Sequence, residues 1–148
     1  MINKTRRIRK DVQSILRDDY RSYQIQLSTL PDRIKTEQQR MIAIKSSLTP
    51  KSGGGSGNSQ QEKSTALIVE IEQLKNSLRI AKREVTLINK ILDSLTEQER
   101  TALEIMDINR EPMAINTLCE ALGMEKSGAY DIYDTALDRF GKAYFGTR

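Results

Sequence analysis

The chain contains no histidine and a single cysteine, Cys119. These absences exclude an internal disulfide, a histidine-based catalytic triad and zinc sites built from His and Cys. Aromatic residues make up only 5% of the sequence, and no run of 18 apolar residues occurs, so a membrane-spanning helix is not expected. The opening MINKTRRIRKDVQ is basic with no apolar stretch behind it. It lacks the pattern of a secretory signal, and the protein is read as cytoplasmic.

What remains is 30% charged and 37% hydrophobic, rich in Leu, Ile, Glu, Lys, Arg and Gln. That balance favours long, surface-rich helices over a thick core, and the fold class expected is all-α. A length of 148 residues allows a small domain joined to an extended element. Charge is unevenly spread: residues 1–95 hold 18 Lys and Arg against 10 Asp and Glu, whereas residues 96–148 hold 6 against 10. The basic portion points to a polyanionic partner.

In residues 65–95, Leu67, Ile71, Leu74, Leu78, Ala81, Val85, Ile88, Leu92 and Leu95 alternate at four and three, a heptad seam. Ile68, Ile80, Leu87 and Ile91 widen it, which suits a bundle of more than two helices. In residues 1–48, Leu16, Tyr20, Tyr23, Leu27, Leu30, Ile34, Met41 and Leu48 keep similar spacing, with Gln38 polar in the seam and a kink or short break expected at Pro31. Residues 49–64, TPKSGGGSGNSQQEKS, read as a flexible loop, native or introduced. Folding the arm back over it gives a long antiparallel, coiled-coil-like helical hairpin. The same stripe is also suited to a second chain, so a homodimer or higher oligomer is the competing arrangement.

Lys4, Arg6, Arg7, Arg9 and Lys10 crowd five cations into seven residues. They read either as phosphate contacts for DNA or as a solvated, frayed terminus. In residues 96–148, Thr96 and Glu99 form a capping box opening a helix. Leu103 and Met106 point inward, and the pattern ends at NREPM. Ala114 to Leu122, then Gly123 and a helix from about Lys126 to Phe140, have helix-turn-helix spacing, with small Cys119 where the helices approach and Gly123 in the turn.

The residues LTEQERTALEIMDI and INTLCEALGMEKSGAYDIYDTALDRF resemble the fourth conserved region of bacterial sigma factors. With its helical arm and Ser/Gly-rich stretch, the whole chain resembles small late-gene transcription regulators of phages of Gram-positive bacteria, the ArpU and RinA type. The resemblance implies a C-terminal helix-turn-helix domain in a transcription activator acting in the bacterial host cytoplasm. Its partners would be double-stranded promoter DNA and RNA polymerase, without enzymatic activity, cofactor or metal. Carried over by position, the groove-facing residues are Lys126, Ser127, Gly128, Tyr130, Asp131 and Asp134, with Arg6, Arg7, Arg9 and Lys10 as further DNA contacts. Ser127, Gly128 and Asp131 stand where sigma factors place Arg and Glu, so attraction to phosphate must come from elsewhere: Arg100, Arg110, Lys126, Lys142, the basic arm or a second subunit. The alternatives are a protein-interaction adaptor that binds no DNA and a packaging protein of the small terminase type.

Overall fold

The computed structural model describes residues 2–47 and 57–146. Among these, every regular element is helical. Helix α1 (Ile2–Ser14) passes through a π-helical turn (Ile15–Asp19) into α2 (Tyr20–Ser47). After residues outside the described set come α3 (Gly57–Ser94), α4 (Glu97–Leu103), a second π-helical turn (Glu104–Ile108), α5 (Ala114–Leu122) and α6 (Lys126–Gly146).

The chain divides into two compact units, one of residues 24–82 and one of residues 1–23 with 83–148. The division differs from the boundary expected near Leu95: the basic N-terminal helix and the last turns of α3 group with residues 96–148.

In the unit of residues 24–82, α2 and α3 run antiparallel. Leu30 and Ile34 pack on Leu74, and Met41 packs on Leu67 and Ile71. The heptad seam of α3 is buried or half-buried at every position from Leu67 to Leu95, as its spacing predicts. Three expectations are corrected. Gln38 is exposed, and Glu37 takes the seam position instead, bonded to Arg40, because the spacing from Ile34 to Met41 runs three then four. Pro31 lies inside α2 without breaking it; the missing N–H costs one bond while Leu30 and Ile34 hold the helix to its partner on either side. The third concerns the loop expected over residues 49–64: α3 already begins at Gly57, since a helix nucleated on a packed seam extends at little cost through residues such as Gln61, Glu62 and Lys63. Leu48 and residues 49–56 lie outside the described residues.

The other unit has a single core. Val12, Leu16, Ile88, Leu103, Leu118, Leu137 and Phe140 are fully buried there. The capping box forms, with Glu99 N–H donating to Thr96 Oγ1 at 3.2 Å and Thr96 N–H to Glu99 Oε1 at 3.0 Å. Helix α6 continues to Gly146, beyond the expected end at Phe140, because Gly141 and Tyr144 are also buried. Gly141 is required by close approach: a Cβ there would stand 2.7 Å from Ile8 Cγ2 and 3.2 Å from Val12 Cγ2. Helix α1 thus lies on α6 as a packed element and not as a frayed terminus.

Candidate nucleic-acid interface

Helix α5 ends at Gly123, whose φ of 64° is the left-handed conformation that glycine adopts without a side-chain penalty. The Gly123 and Met124 N–H groups both donate to Cys119 O, closing α5 and redirecting the chain into α6. Buried Leu118 and Ala129 sit between the two helices, with Cys119, Leu122 and Ile132 partly buried around them. The turn has the chemistry that a helix-turn-helix requires.

From this frame, α6 presents Lys126, Ser127, Tyr130 and Asp131 to solvent, with Tyr130 46% exposed. Gly128 departs from the expected set. It is half-buried and turned toward Met124, whose Sδ would lie 3.4 Å from an added Cβ, so it is not part of the exposed face. Asp134 departs too. Arg9 donates to Asp138 through two nitrogens at 2.8 and 2.9 Å, and its third nitrogen lies 3.4 Å from Asp134. The hydrogen bond to Asp138 raises the Arg9 pKa above its ordinary value despite some desolvation, and the charge of Asp134 adds to it.

Arg9 is therefore paired within the protein, with its side chain 31% exposed. Its single charge offsets one of the two charges of Asp134 and Asp138, whose side chains stay 45% and 43% exposed. Arg6, Arg7 and Lys10 are exposed. Asp131 instead borders a hollow of about 280 Å³ lined also by Thr96, Gln98, Thr135 and Arg139. Arg139 itself reaches Glu99 at 3.2 Å.

The same unit holds a polar cluster. Asp107 is fully buried, accepts from Arg17 Nε at 2.8 Å and from the Tyr133 hydroxyl at 2.9 Å, and Gln13 Nε2 donates to that hydroxyl at 2.8 Å. Arg17 and Asp107 each sit in a π-helical turn, where the extra residue re-aims side chains. Burial pushes the Asp107 carboxyl above its ordinary range, against the bonds from Tyr133 and Arg17 and the charges of Arg17 and Arg110. For Arg17, burial works downward, but the bond to Asp107 and its charge leave the guanidinium above its ordinary value. Burial and then the Asp107 charge hold the Tyr133 hydroxyl protonated well above its usual range.

Sequence reasoning missed this cluster. Asp107 falls in an apparently amphipathic turn, and only its place among Ile105, Met106 and Ile108 hints at burial. Two residues of the loop before α5, Arg110 (φ 47°) and Met113 (φ 50°), adopt left-handed backbone, which is strained for side chains of their size.

Among the described residues, no group of His, Cys, Asp and Glu is placed to hold a metal ion, and no helix is long and apolar enough to cross a membrane. Compared with protein-family models, curated proteins and solved structures, the chain gives no match.

Proposed function

We infer that the chain is a transcription regulator of the phage late-gene kind, an activator that binds double-stranded promoter DNA through α5 and α6 without catalysis or cofactor, in the cytoplasm of a bacterial host. The observation that carries this reading is the exposed Lys126, Ser127, Tyr130 and Asp131 face on a helix set by the left-handed turn at Gly123. The charge objection is weakened in part by Arg9, which pairs with the half-exposed Asp134 and Asp138. Asp131 remains as an acceptor suited to cytosine N4 once the helix is held in a groove.

A second reading, an adaptor that binds RNA polymerase, draws support from the same exposed Tyr130 beside Asp131, since an aromatic with a neighbouring carboxylate suits a protein contact. Fluorescence anisotropy against genomic fragments selected by the protein, and against random duplex, separates the two. The regulator reading expects tighter binding to selected fragments. Absence of any duplex binding at low salt would sink it, and co-purification of polymerase in that case would establish the adaptor.

A further inference from the structure

The hairpin of residues 24–82 leaves an apolar hollow open on one side. Leu30 and Ile34 pack on Leu74, and Met41 on Leu67 and Ile71, so a single seam joins α2 to α3. Beside that seam, Ile42 and Ile68 are 64% and 47% exposed. With Gln38, Met41, Ile71 and Glu72 they line a hollow of about 420 Å³ between the two helices. A unit of this size gains little from one seam, and small helical units complete their core by association.

The two rims of the hollow carry opposite charge at one level. Lys35 follows Ile34, which packs on Leu74, two residues beyond Glu72. Gln38, one turn from Lys35, lines the same hollow as Glu72. Lys35 on α2 and Glu72 on α3 therefore stand level across the opening. Both are exposed, and neither forms an ion pair among the described residues. Spacings of three and four from Ile42 and Ile68 put Lys45, Lys75 and Arg79 on the same side of their helices. The antiparallel register sets those cations level with Gln61, Pro31 and Ser28, none of which is charged.

We propose that this face binds a second copy of the chain, the two hairpins related by a twofold axis parallel to their helices. Such an axis keeps every level and lays α2 of one copy against α3 of the other. Ile42 and Ile68 of both copies close into a shared apolar centre, and Lys35 meets the partner's Glu72 twice, once for each copy. Opposite charges at one level on the two rims are what a self-complementary twofold interface needs. Four helices then surround one core, the arrangement to which an apolar stripe wider than two positions in seven is suited.

Sedimentation equilibrium of the full chain is the test. Mass is expected to rise with concentration from 16.9 kDa to twice that value and no further. Ile42→Gln with Ile68→Gln is expected to weaken association by about tenfold or more with helical circular dichroism unchanged, since both side chains are exposed in the single chain. Lys35→Glu and Glu72→Lys, each alone, set like charges opposite one another in their own dimers and are expected to weaken association about tenfold. An equal mixture of the two single variants restores both pairs and is expected to associate within about threefold of the unaltered chain. A defect in folding within one chain is not repaired by mixing. A chain still monomeric at about 0.5 mM, a mass beyond the dimer, or a mixture no tighter than its components overturns the proposal. Duplex binding is measured separately, so each of these outcomes leaves the DNA reading intact.

Discussion

Tyr133 shows how much one side chain holds here. Its hydroxyl donates to buried Asp107 and accepts from Gln13, so Tyr133→Phe leaves Asp107 one donor short and Gln13 without its acceptor. A loss of about 1–3 kcal/mol in urea-induced unfolding is expected. Asp107 itself titrates above its ordinary value of 3.8 because of burial. A carboxyl that holds its proton more tightly when folded adds stability as pH falls through its folded pKa, and that contribution is lost as pH rises again. Stability relative to Asp107→Asn is therefore expected to shift in favour of the unaltered protein as pH falls from 7 toward 4; a difference independent of pH would contradict burial as the dominant effect. Met113 offers a gain. Its side chain is 73% exposed while its φ is 50°, so Met113→Gly relieves left-handed strain at little packing cost and is expected to raise stability by about 1 kcal/mol, read from the unfolding midpoint.

At the scale of elements, the contact of α1 with α6 decides the electrostatics of the candidate interface. Gly141→Ala places a methyl group 2.7 Å from Ile8 Cγ2 and is expected to cost about 1–3 kcal/mol through overpacking. Gly128, with only ordinary contact to Met124, is expected to tolerate Ala. Much of this level was legible in the sequence. The seam from Leu67 to Leu95, the capping box at Thr96 and the span Ala114 to Leu122 follow from local spacing and side-chain chemistry. The partnership of Arg9 with Asp138 was not legible, because the two are 129 residues apart and no local pattern links them. Pro31 and residues 57–64 misled for another reason: local propensity is weak beside a packed seam, and tertiary contacts override it.

At the scale of the whole molecule, the two compact units differ in what they bury. The unit of residues 24–82 rests on two small clusters, centred on Leu30, Ile34 and Leu74 and on Met41, Leu67 and Ile71, while the other has one continuous core. At high dilution, amide hydrogen exchange is expected to be faster across residues 24–46 and 61–82 than across α6. Equal protection at that dilution would indicate that a second copy stays bound over the exposed Ile42 and Ile68. On the proposed DNA-binding reading, α6 supplies the contacts to bases and cations elsewhere supply most of the attraction for phosphate. This division of labour is tested most directly by the affinity ratio between selected and random duplex for a Lys126→Ala, Tyr130→Ala variant. The expected result is that preference for the selected duplex collapses while affinity for random duplex falls only a few-fold. An unchanged ratio would contradict the assignment of sequence reading to α6.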